Sequence, residues 1–135
     1  MHIDHIGIAV ADLEKAVKTY EKILNTPCFK RERVESEKVE TAFFQTGESK
    51  VELLGATGPD SVIAKYLAKK GQGLHHIAFE VEDIHAELER LQKEGFTLLN
   101  EKPKSGADNK MIAFLHPKDN EGVLVELCQT VNSEQ

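Results

Sequence analysis

Tryptophan is absent from these 135 residues and tyrosine occurs only twice, which argues against a surface on which nucleic-acid bases stack. Basic side chains are outnumbered, 17 against 23 acidic ones, and the net charge of -6 disfavours non-specific contact with phosphate backbones. No nucleic-acid partner is expected. No apolar run approaches 18 residues, so no membrane span is expected. The first residues show neither a basic n-region nor an apolar h-region, which predicts no secretory signal and a cytoplasmic location. Two cysteines, Cys28 and Cys128, fit no disulfide or thiolate-metal spacing and read as reduced thiols. There is no P-loop and no GxGxxG element, and no nucleophile-base triad can be argued from spacing. What remains is an ordinary globular composition, 40% hydrophobic and 30% charged, of a length that suits one domain over 1–135.

The chain states one pattern twice. Ile3-Asp4-His5-Ile6-Gly7-Ile8-Ala9-Val10-Ala11-Asp12-Leu13 returns, 71 positions later, as Leu74-His75-His76-Ile77-Ala78-Phe79-Glu80-Val81-Glu82-Asp83-Ile84. His5/His76, Ile6/Ile77, Val10/Val81 and Asp12/Asp83 are identities. Each copy ends in an apolar segment bearing one acid, Val51-Glu52-Leu53-Leu54 and Val125-Glu126-Leu127-Cys128.

Periodicity supplies the elements between. Residues 3–10 alternate as a strand, and Asp12 stands at the N-cap of a helix with Ala16, Val17, Tyr20, Ile23 and Leu24 on one face. Residues 28–34, 39–45 and 50–54 read as strands, the last two joined by a Gly47-Glu48-Ser49 turn. After a loop from Gly55 to Pro59, Asp60 or Ser61 caps a connector helix over about 60–71. The second half repeats the order: strand 74–81, a helix capped by Asp83 and ended by Gly95, then strands near 96–100, 111–115 and 123–128. The expected architecture is α+β: two tandem βαβββ modules, about 1–55 and 73–130, forming a half-closed eight-stranded barrel-like sheet around a metal site.

His5 and His76 lie in the first strand of each module, Glu52 and Glu126 in the last. If those strands pair, each imidazole neighbours its acid. Both acids sit within apolar triplets, where a buried carboxylate is costly without a cation. His5, Glu52, His76 and Glu126 are therefore candidate ligands of one divalent metal. Two nitrogens and two oxygens suit Co or Mn, with Ni, Zn or Fe as alternatives. His75 points to the opposite face from His76. His2, His85 and His116 share no partner pattern.

The module resembles the vicinal-oxygen-chelate (glyoxalase-like) superfamily, and within it the methylmalonyl-CoA epimerases. The resemblance is carried by IDHIGIAVADLEKAVKTYEKIL, VELLGATGPDSVIAKYLAKKGQGLHHIAFEV and FLHPKDNEGVLVEL, roughly half of the chain. It implies metal ligands at His5, His76 and Glu126, with Glu52 at a position where some epimerases carry glutamine. It also implies a proton-transferring base at Glu40; Glu126, a ligand able to accept a proton, is the candidate for the second transfer. The implied reaction interconverts the 2R and 2S forms of an acyl-CoA substrate through an enolate. Lys102, Lys104, Lys110 and Lys118 become candidate contacts for coenzyme A phosphates, and a homodimer is expected. Alternatives on the same scaffold are a lactoylglutathione lyase of the glyoxalase I type, an Fe(II) dioxygenase, and a metal-free ligand-binding module.

Overall fold

The computed structural model describes residues 1–131. Its elements run β1 (His2–Ala9), α1 (Leu13–Leu24), β2 (Lys30–Val34), β3 (Val39–Thr46), β4 (Ser49–Ala56), α2 (Val62–Lys70), β5 (Gly73–Glu80), α3 (Ile84–Lys93), β6 (Lys104–Ser105), β7 (Lys110–Leu115) and β8 (Val125–Thr130). No helix among the described residues is long and apolar enough to cross a membrane. Two compact units divide the chain, His5–His75 on one side and Met1–Asp4 with the residues from His76 onward on the other.

In the unit His5–His75 the strands pair in the order β2-β3-β4-β1, antiparallel except for β1 on β4. Strand alternation sorts side chains onto two faces. Ile8 and Val10, Leu53, and Ala42 and Phe44 meet Val17, Ala16 and Tyr20 of α1. Ala9, Leu54 and Val39 line the opposite face, where Ile63, Tyr66 and Leu67 of α2 cover them. Helix α1 starts where Asp12 Oδ1 accepts from the Lys15 amide at 3.1 Å, and stops where Asn25 turns left-handed at φ 51°. Strand β4 runs two residues past its expected end. Gly55 belongs to it because a Cβ there would meet Leu13 Cβ at 3.1 Å; the missing side chain lets the start of α1 lie against β4.

The second unit repeats this plan with the order β5-β8-β7-β6 and β5 parallel to β8. Asp83 Oδ1 caps α3 through the Ala86 amide, and Ile84, Leu88 and Leu91 pack on Val81, Ala113, Leu115 and Leu127. The strand expected near 96–100 is a single bridge, Leu98 to Leu115, and the edge strand is β6. Asn100 explains the interruption: its side-chain oxygen, not a backbone carbonyl, accepts from the Phe114 amide at 2.9 Å. Pro103, with no amide hydrogen to give a ladder, follows.

Candidate metal centre

Strand register decides where each acid points. In the first unit Glu52 stands beside Gly7 of β1 and beside Phe43 of β3. His5 precedes Gly7 by two residues and so shares its face. The result is His5 Nε2 at 3.2 Å from Glu52 Oε1. In the second unit Glu126 stands beside Ala78 of β5 and beside Phe114 of β7, and His76 precedes Ala78 by two. His76 Nε2 lies 3.2 Å from Glu126 Oε1. All four residues are 4–5% exposed. The structure thus brings each expected ligand to its partner within its own unit.

Glu40 lies on the other face of its strand from Glu52. Phe43 shares the face of Glu52, and Thr41 and Val39 follow it at intervals of two; Glu40 alternates with them and shares the α1 face with Ala42 and Phe44. There it pairs with Arg31 at 3.2 Å, and Arg31 also holds Glu14 of α1. Its carboxylate is turned away from the His5–Glu52 face. Glu40→Gln is accordingly expected to leave turnover within about twofold and to cost no more than about 1 kcal/mol in a urea melt, the usual worth of a half-exposed ion pair. A loss of turnover above tenfold would return Glu40 to the reaction.

Lys110 also departs from expectation. Instead of reaching for a phosphate it is buried, with Nζ donating to Glu80 and to Thr130 Oγ1 (2.7 Å) and lying 3.3 Å from Asp4. Asp4, Glu80 and Cys128 bring ligand atoms within 4.8 Å of one another, but the Lys110 ammonium already serves these acids as their cation. Burial, followed by the charges of Asp4 and Glu126, pushes the Cys128 thiol far up, so it stays protonated and a poor ligand. Both cysteines are free. His75 faces away from His76, its ring edge-on to Tyr66 at 4.8 Å. His116 caps a short 3-10 turn, accepting at Nδ1 from the Lys118 amide.

Four further residues flank the two acids on the neighbouring strands. Gly7 and Ala78 keep the 71-residue offset and were visible as a small-for-small replacement. Phe43 and Phe114 precede their acids by 9 and 12 residues. Unequal hairpins hide that equivalence.

Residues 4–114 match the model of the glyoxalase/bleomycin resistance protein/dioxygenase superfamily. The human mitochondrial methylmalonyl-CoA epimerase is 44% identical over 128 residues, 94% of this chain and 73% of that one. The ethylmalonyl-CoA/methylmalonyl-CoA epimerase of Cereibacter sphaeroides is 41% identical over 129 residues, 94% and 96% respectively. Among solved structures, the Streptomyces coelicolor methylmalonyl-CoA epimerase in complex with 2-nitronate-propionyl-CoA superposes with a TM-score of 0.93 at 38% identity, over 97% of this chain and 95% of that one. The fold class is the expected one, α+β, with eight strands and three α-helices among the described residues. The chain belongs to the glyoxalase/bleomycin resistance protein/dioxygenase superfamily and, within it, to the methylmalonyl-CoA epimerase family of enzymes.

Proposed function

We propose that the pairs His5–Glu52 and His76–Glu126 together bind one divalent cation, and that the chain interconverts (2R)- and (2S)-methylmalonyl-CoA. The observation that carries this reading is the duplicated buried pair, with the same atoms at the same 3.2 Å separation in both units. Two imidazole nitrogens and two carboxylate oxygens form a donor set suited to Co or Mn, and also to Ni, Zn or Fe(II), and unlike the thiolate set of a closed structural zinc. The relatives' names supply the substrate, and the coenzyme A analogue held by the Streptomyces protein supports an acyl-CoA. When bound, such a cation supplies Lewis acidity toward a thioester carbonyl and eases loss of the neighbouring α-proton.

The remaining work falls to side chains. Inversion takes a proton from one face of the carbon and returns one to the other, so a proton-transferring group is needed on each face. With Glu40 on the far face of β3, Glu126 and Glu52 are the buried acids of the two pairs, and we assign one proton transfer to each. Their burial limits access of bulk water to the reacting carbon, while each acid exchanges its own proton with solvent between turnovers.

Incubation with one stereoisomer of methylmalonyl-CoA in D₂O, followed by mass analysis, tests the reading. Metal-loaded protein is expected to place solvent deuterium at the α-carbon and to scramble its configuration, and a chelator is expected to stop both. Undiminished exchange after complete metal removal would overturn the cation; no exchange in loaded protein would overturn the substrate.

A further inference from the structure

Each carboxylate stands between a nearly side-chain-free neighbour on one strand and a phenylalanine on the other. The triplets are Gly7–Glu52–Phe43 and Ala78–Glu126–Phe114, read straight across the parallel and antiparallel pairings. A ring fills the space on one side of the acid; on the other, Gly7 or Ala78 leaves the strand surface bare. The side chain therefore leans toward the small residue, where the histidine of that strand stands one pleat back. Phe114 adds a second constraint, since its ring meets the His76 imidazole edge-on, centroids 5.9 Å apart at 90°. Phe43 is 1% exposed and braced by Phe29 at 6.2 Å, so its wall is fixed as well.

We propose that Phe43 and Phe114, together with Gly7 and Ala78, are positioning residues that hold each carboxylate against its imidazole before any cation arrives. This deepens the metal reading above and rests on it. Ligands held in place by their surroundings lose little freedom when an ion binds, so affinity is gained without a further contact.

The test compares Ala78→Val, Ala78→Gly and Phe114→Leu with the wild type and with His76→Ala. Cobalt(II) is titrated calorimetrically, the visible spectrum of the cobalt-loaded protein is recorded, and kcat and KM are measured separately. Ala78→Val and Phe114→Leu are expected to weaken cobalt binding by roughly 10–100-fold, the usual effect of disturbing the surroundings of a metal ligand, and to change the cobalt spectrum. Ala78→Gly, which keeps the space open, is expected to bind within about threefold of the wild type. If Ala78→Val fails to fold, Phe114→Leu still decides, because leucine preserves most of the apolar volume while removing the ring. Wild-type affinity and spectrum in Phe114→Leu or in folded Ala78→Val would overturn the positioning role. Undiminished cobalt binding in His76→Ala would instead overturn the metal reading itself, so the two failures are told apart.

Discussion

Glu126→Gln is expected to lower kcat for methylmalonyl-CoA epimerisation by about 10²–10⁴-fold, the range that a positioned proton carrier contributes. Glutamine keeps the shape of the side chain and one oxygen, so packing between Ala78 and Phe114 survives and thermal unfolding should shift little. What it loses is the ability to take up a proton. Glu52→Gln makes the counterpart. If each acid serves one face of the α-carbon, Glu126→Gln blocks solvent-deuterium uptake from one stereoisomer and Glu52→Gln blocks it from the other. Starting each variant from each pure stereoisomer, with metal content measured in parallel, gives four rates. Equal rates from both stereoisomers in both variants would remove the division of labour, and a loss below tenfold in Glu126→Gln would remove Glu126 as a proton carrier.

The sequence showed most clearly what the duplication repeats. A constant offset of 71 exposes both histidines, both helix caps and the Gly7/Ala78 position, because β1 and β5 have the same length and α1 and α3 start at the same distance after them. It showed poorly what depends on counting single residues within a strand. Val39-Glu40-Thr41-Ala42-Phe43-Phe44 is apolar on both faces, since α2 covers one and α1 the other, so no polar alternation marks the side on which Glu40 lies. One step of register separates a residue beside the acid from a residue in an ion pair with Arg31. The burial of Lys110 is hidden in the sequence for a different reason. A lysine in a charged, loop-rich stretch is ordinarily solvated, and the partners that bury this one, Asp4, Glu80 and Thr130, come from three other strands. Only tertiary structure brings them together. Residues 96–100 carry apolar side chains suited to a strand, yet the Asn100 side chain replaces the next backbone bond of the ladder and local chemistry prevails over pattern.

Lys110→Ala is expected to destabilise the fold by about 3–5 kcal/mol, the cost of stripping one partner from a buried ion pair. The loss falls on Asp4 and Glu80, which would be left buried or half-buried near each other without the ammonium between them. The pH dependence separates this from simple loss of packing. Burial alone pushes Glu80 upward, but the hydrogen bonds from Lys110 and Thr130 outweigh it and hold the carboxyl below its usual range. Burial likewise pulls Lys110 down, and is outweighed by the hydrogen bond to Glu80 and the charges of Asp4 and Glu80, which hold it above the usual lysine range. A depressed acid contributes stability above its unfolded-state value and loses it as pH falls through the folded one; a raised base contributes below its unfolded-state value and loses it as pH rises through the folded one. The wild-type cluster therefore stabilises across the whole neutral range and weakens only toward either extreme. In Lys110→Ala the burial of Glu80 remains while its main counterweight is gone, so its carboxyl rises and protonation relieves the repulsion with Asp4. The variant should then gain stability between pH 7 and pH 5, where the wild type stays level. Urea midpoints measured at intervals across that range check this directly: two parallel curves would mean that Lys110 acts through its buried stem and not through its charge.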